Sequence, residues 1–145
     1  MSHELPENFR LHIEQQIDID APLAMAFAAM LEQLGPANSS PHGPMPMTLE
    51  AWPGGRWFRD LGNNAGHFWG HVQVIKPPTL LEVTGPLFMS YPAVSHVQYR
   101  LGLQGQGTRL TLVHRALGEI AADHREGVKA GWGHMLAGMK ALAEK

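Results

Sequence analysis

The chain has 145 residues, 44% hydrophobic and 17% charged, a balance that suits one folded domain spanning 1–145 rather than a disordered or two-domain chain. Eleven basic and thirteen acidic residues give a net charge of −2 with neutral histidines, with no concentrated basic face for nucleic acid, and the lack of cysteine excludes disulfides, thiolate chemistry and cysteine-ligated zinc or iron–sulfur centres. The longest apolar run, 21–31, is too short to span a bilayer, and Met1-Ser2-His3-Glu4-Leu5-Pro6 places no basic segment before an apolar one, so a soluble, cytoplasmic protein without a secretion signal is expected.

Residues 9–20 alternate as a half-buried strand on Phe9, Leu11, Ile13, Ile17 and Ile19, and a phase slip or bulge is expected around Gln15 and Gln16. Asp20 is read as a helix N-cap, with Pro22 near the first turn, where its missing N–H costs nothing. The helix former-rich run that follows puts Phe27, Met30, Leu31 and Leu34 on one face and stops at Gly35-Pro36. Residues 35–46 hold four prolines and two glycines, which exclude regular structure over most of their length. A loop this long in a compact domain is either a plain connection or a functional lid.

Strands are then expected at 47–52, 56–60, 66–75, 79–84, 95–103 and 108–115, separated by Gly- and Pro-bearing turns. Val97, Tyr99, Leu101 and Leu103 share one face of the penultimate strand, and Leu110, Leu112 and His114 one face of the last. The Gly-rich turn between them makes an antiparallel hairpin. A helix from about 122 to 143, about 33 Å long, carries Val128, Trp132, Met135, Leu136, Met139 and Leu142 as an apolar stripe. Its glycines at 127, 131, 133 and 138 each weaken it by up to about 1 kcal/mol, a loss to be offset by close packing of backbone or ligand. The order predicts an α+β fold, an antiparallel sheet curved around one long C-terminal helix, with a shorter helix after the first strand. One helix cannot fill a wide curved sheet, so a cavity for an apolar ligand is expected.

This order resembles the helix-grip fold of the SRPBCC (START-like, birch-pollen-allergen-like) superfamily. Trp52-Pro53-Gly54-Gly55-Arg56 resembles the Pro-Gly-Gly turn of domains homologous to the activator of the heat-shock-protein-90 ATPase. The segments 70–78 with Leu80-Leu81, 108–114, and Gly131-Trp132 with Leu136, Lys140 and Leu142 resemble that family's later strands and C-terminal helix. The family usually places a short aromatic-rich helix where this chain has its Pro-rich segment 35–46. The resemblance implies the fold and a cavity; superfamily members include lipid binders, cyclases and dehydratases, so the fold does not fix the reaction.

Nine histidines raise the question of metal. His67 and His71 stand about 13 Å apart along a strand and His124 and His134 about 15 Å apart along a helix, too far for one ion. No metal, cofactor or catalytic residue is assigned. There is no Gly-x-Ser-x-Gly elbow, and the glycines at 102–107 belong to a hairpin turn rather than a phosphate loop. His114 is expected to point inward, to titrate near neutral pH and to orient a ligand, with Tyr99 as a second polar group. Trp69 shares parity with His67 and His71, which suggests the outer face and a subunit contact in a homodimer.

The expected function is binding of a small hydrophobic molecule, a lipid among the possibilities, in a cavity of at least about 300 Å³. Its expected lining is Tyr99, Leu101, Leu112, His114, Trp132, Met135 and Met139, with 35–46 at the mouth. The alternatives are a cyclase, dehydratase or hydrolase using His114 and Tyr99 in the same pocket, and a chaperone-cofactor-like interaction module.

Overall fold

The computed structural model describes residues 9–145. Strand β1 (Arg10–Ile19) is followed by helix α1 (Leu23–Leu34), a ribbon of β2 (Ser39–Ser40) and β3 (Gly43–Pro44), and the short β4 (Thr48–Leu49). Then come β5 (Arg56–Gly62), β6 (Ala65–Lys76), β7 (Leu80–Gly85), β8 (Ala93–Gln104), β9 (Gly107–Gly118) and helix α2 (Ala122–Ala143). Seven strands form one antiparallel sheet in the order β1-β9-β8-β7-β6-β5-β4. Both helices lie on one face, α2 against α1 and β1, which is the helix-grip arrangement. Among the described residues no helix is long and apolar enough to cross a membrane.

Alternation in the last hairpin places Leu110, Leu112, His114 and Ala116 of β9 inward, beside Val97, Tyr99 and Leu101 of β8. Opposite them Phe27, Met30 and Leu34 of α1 and Trp132, Met135, Leu136 and Met139 of α2 close the core. The indole of Trp57, fully buried on β5, donates to the carbonyl of Leu34 at 2.8 Å, so the last turn of α1 is tied to the sheet. Gly138 lets the helices approach: a Cβ there would sit 2.6 Å from the buried side chain of Gln33.

Three local expectations are corrected. Strand β1 pairs with β9 from Arg10 to Ile19 without a register shift. Gln15 stays in phase with Ile13 and Ile17 because its amide donates to the Lys129 carbonyl of α2, so a polar side chain sits on the inner face without a bulge. The N-cap of α1 is Pro22, not Asp20. Thr108 Oγ1 donates to the Ala21 carbonyl and the Asp20 N–H donates to Glu144, which hold this connection against β9 and α2. The strand expected at 47–52 shrinks to Thr48–Leu49, since Glu50 turns its carboxylate back onto the backbone and guanidinium of Arg56. Segment 35–46 is irregular over most of its length, as expected, and within it β2 and β3 pair across a turn in which Ser40 Oγ accepts from the His42 N–H.

The largest departure is Trp69. The β5–β6 register shifts between Trp57↔Gly70 and Phe58↔Phe68, which makes Trp69 the extra residue of a β-bulge. The bulge reverses the expected parity: Trp69 is 8% exposed and packs edge-on against Trp57, while Phe68 is 44% exposed. Gly70 and Gly85 make room, since a Cβ on Gly85 would lie 2.5 Å from the Gly70 Cα. The outward tryptophan that suggested a subunit contact is therefore a core residue.

Trp57→Phe should lower unfolding stability by about 2 kcal/mol, from one lost hydrogen bond and lost packing volume. Urea denaturation checks it. An unchanged midpoint would mean that the indole does not tie α1 to the sheet.

Candidate functional site

The bulge at Trp69 organises a pocket. Its carbonyl accepts the Leu87 N–H at 2.8 Å, which fixes the start of the β7–β8 connection and brings Phe88 over the sheet. Phe88 then packs edge-on with Trp69 at 5.5 Å and with Trp132 at 5.9 Å between ring centroids. These three rings form one wall. Met45, Val128 and Met135 add apolar surface, and Asn38, Ser39, Ser40, His124 and His134 bring the polar groups. The volume is about 200 Å³, below the expected 300 Å³ because Phe88 and the inward Trp69 occupy the space a flatter sheet would leave.

Gly127 and Gly131, four apart on α2, line this pocket, and a Cβ on either would meet nothing within 4 Å. Their contrast with Gly138 is informative. Gly138 is needed for helix packing, whereas at 127 and 131 no group of the described residues is accommodated by the missing side chain. Segment 38–41 forms the facing wall, and Ser39 Oγ is hydrogen-bonded to His134 Nε2 at 2.9 Å, which ties the ribbon to α2. At the other end Tyr91 Oη is hydrogen-bonded to His124 Nδ1.

His114 lies behind this wall. It is 0% exposed, and Trp132 Nε1 donates to its Nδ1 at 2.9 Å. An indole N–H can only donate, so Nδ1 is unprotonated and the neutral ring carries its proton on Nε2, which faces Ser95 Oγ at 2.9 Å. Ser95 in turn donates to the Met89 sulfur. Burial pushes the His114 pKa down to about 4, so the expectation of titration near neutral pH is corrected: desolvation of the imidazolium keeps the ring neutral.

Of the residues expected at the cavity, Trp132 and Met135 line the pocket. Tyr99, Leu101, Leu112, His114 and Met139 are buried in the core behind it. Tyr99 packs edge-on against Trp132 at 6.1 Å; its hydroxyl has no hydrogen-bond partner among the described residues, and burial holds its pKa well above the ordinary phenol value. Sequence reasoning missed Phe88, Trp69, Asn38 and the two pocket glycines as a group. Only the helix-weakening glycines carried a signal, through their cost to α2.

Two other concavities differ in character. A groove of about 800 Å³ at one end of the sheet is charged, with Arg115 between His12 and His96 in cross-strand register. A third, of about 390 Å³, shares Met45, Trp69 and Phe88 with the aromatic pocket and has Arg59 and His67 in its wall. Size alone would favour the groove; the aromatic walls favour the smaller pocket as the site for an apolar molecule. Among the described residues no three His, Asp or Glu side chains converge as metal ligands.

Comparison with solved structures gives the same fold. Protein CV1439 of Chromobacterium violaceum superposes with a TM-score of 0.75 at 18% identity, over 92% of this chain and 97% of that one. CalU16 of Micromonospora echinospora gives 0.62 at 24% identity, over 92% and 75%. The di-domain ARO/CYC StfQ from the steffimycin biosynthetic pathway gives 0.65 at 12% identity, over 94% of this chain and 50% of that one. No curated protein matches the chain. The family model described as activator of Hsp90 ATPase homolog 1-like protein matches residues 21–144, from the start of the α1 connection to the end of α2. With nearly all of its elements inside that match, the chain belongs to the activator of Hsp90 ATPase homolog 1-like family.

Proposed function

We propose that this protein binds a small, predominantly apolar molecule in the pocket between α2, segment 38–45 and Phe88. The observation that carries this reading is the Gly127–Gly131 pair. Each glycine costs α2 up to about 1 kcal/mol relative to alanine, and no packing contact with the described residues offsets it. A ligand lying on that helix face supplies the missing contact. The volume of about 200 Å³ suits one or two rings, or a short chain, with the remainder of a larger molecule emerging past the rim. The core around Tyr99, Leu101, Leu112 and Met139 supports the pocket floor in this reading rather than touching the ligand.

His114 weighs against acid–base chemistry at its position, because both ring nitrogens are engaged and protonation is disfavoured. One observation favours an enzyme as the second reading: the Tyr91–His124 pair stands at the rim, where a proton could pass to a bound molecule. The structural likeness to an ARO/CYC protein is compatible with cyclase chemistry, but at 12% identity it carries the fold alone. Binding without catalysis is the reading adopted, with cytoplasmic location and a homodimer as accompanying proposals.

Protein-observed NMR of the isotope-labelled chain, titrated with aromatic and alicyclic probes of about six to ten carbons, should detect binding that shifts the Trp132 and Met135 resonances. Gly131→Leu should abolish that binding while leaving the fold intact. Absence of binding by any probe, or binding untouched by Gly131→Leu, would overturn the proposal.

The neutral imidazole of His114 also predicts a pH signature. Its pKa is about 4 folded against 6.5 unfolded, so the unfolded state takes up the proton first as pH falls. Stability is full above pH 6.5 and should decline by about 3 kcal/mol by pH 4 on this account. His114→Gln, which retains a donor and an acceptor, should lack that component between pH 6.5 and 4. Equal slopes for the two proteins in urea titrations would mean that His114 is not held neutral.

A further inference from the structure

The aromatic pocket has a neighbour of opposite character. The hollow of about 390 Å³ shares Met45, Trp69 and Phe88 with it, so the two spaces adjoin along these three side chains. More of the hollow's wall is polar than apolar, the reverse of the pocket. Strand register explains why. Arg59 and His67 are direct partners across β5 and β6, each two residues along its strand from the inward Trp57 or Trp69. Alternation therefore puts them on the same inner face, about 7 Å beyond the tryptophans. Arg56 and Arg109 are forked onto Glu50 and Asp18, whereas Arg59 makes no hydrogen bond or ion pair with the described residues. No Asp or Glu lines the hollow. The neighbouring Asp60 belongs to the opposite face and accepts the Gly62 N–H. The wall facing the sheet is held at a cost: Leu87 takes φ +56°, rare for a bulky residue, and its N–H is fixed on the Trp69 carbonyl.

We propose that this hollow is the head-group subsite of the pocket, and that the ligand is an amphipathic anion whose apolar body lies among Trp69, Phe88 and Trp132 while Arg59 holds its carboxylate. This rests on the ligand-binding reading above and adds the chemical class of the ligand and a residue that selects it. The anionic end follows from donor chemistry. A guanidinium is always charged, has no acceptor and presents a planar fork of N–H groups that matches a carboxylate. His67 and Ser90, in the same wall, supply further donors. The aromatic pocket cannot hold the charge itself: no Lys or Arg lines it, and an anion against Trp69, Phe88 and Trp132 would lose hydration without gaining a counter-charge. One molecule spanning both spaces suits both walls. Its body leaves water in the apolar pocket, and its charge stays partly solvated beside the half-buried Arg59.

The test compares 3-phenylpropanoate with 3-phenylpropanamide, which share ring and spacer and differ in the charge at the end. Transfer out of water alone favours the amide. Titration of the isotope-labelled protein at low salt, followed at the Trp132 and Met135 resonances, should instead show the carboxylate binding about fivefold more tightly, the scale of a partly exposed ion pair. The Arg59 Nε–H resonance should move with the carboxylate and not with the amide. Arg59→Gln should bind the amide as the wild type does and lose the preference for the carboxylate, and Arg59→Lys, which restores the charge, should keep a preference. Gly131→Leu should remove binding of both probes, because the ring loses its seat. Equal or reversed affinities in the wild-type protein, a preference that survives Arg59→Gln, or an unmoved Arg59 resonance would overturn this inference and leave the pocket reading standing. A preference lost in Arg115→Gln instead would put the carboxylate in the charged groove and overturn it too. If neither probe binds, the pocket reading and this inference fall together.

Discussion

The hydrogen bond from Trp132 to His114 fixes how the C-terminal helix lies on the sheet. A single helix over seven strands has freedom to roll and slide, and apolar contact alone, being non-directional, selects no one rotation. The indole N–H and the imidazole Nδ1 do select one, because both are buried and each would be left unsatisfied by a roll of α2. With Trp132 pinned inward, the helical repeat puts Val128, Met135 and Met139 toward the sheet and turns Gly127 and Gly131 toward Phe88 and segment 38–41. The pocket is thus a consequence of where one tryptophan is anchored.

The same anchor explains why the histidine is chemically quiet. A residue whose two nitrogens hold a helix to a strand is poorly placed to exchange protons with a ligand as well. The polar work of the site passes instead to its rim, where Ser39–His134 and Tyr91–His124 close the two ends. Position in the fold separates the roles: titratable groups at the rim, a neutral imidazole in the core.

Much of this was legible before the structure. The period-two pattern of β8 and β9 places Tyr99, Leu112 and His114 inward, and the stripe on α2 marks Trp132, Met135 and Met139 for burial. What periodicity could not supply is the extra residue in β6. A bulge is a register shift between two strands, set by pairing rather than by the local sequence, and a single inserted residue moves Trp69 from the outer face to the core. Phe88 was illegible for a related reason: it sits in an irregular connection positioned by a bond to that bulge. Asn38 reads in sequence as one more polar residue of a Pro-rich loop, and only its burial against Leu34 distinguishes it. The apparent slip in β1 errs in the opposite direction, since Gln15 is an in-phase inner residue whose polarity is used on the Lys129 carbonyl.

The central claim is that the face of α2 carrying Gly127 and Gly131 is a ligand surface rather than loose packing. Crystallography under xenon pressure tests it without knowledge of the ligand, since xenon enters apolar cavities of this size. The account predicts xenon density between Phe88, Trp69 and the Gly127–Gly131 face, with the surrounding side chains undisplaced. Xenon absent from that position, or side chains of Phe88 and Met45 collapsed into it, would contradict the account.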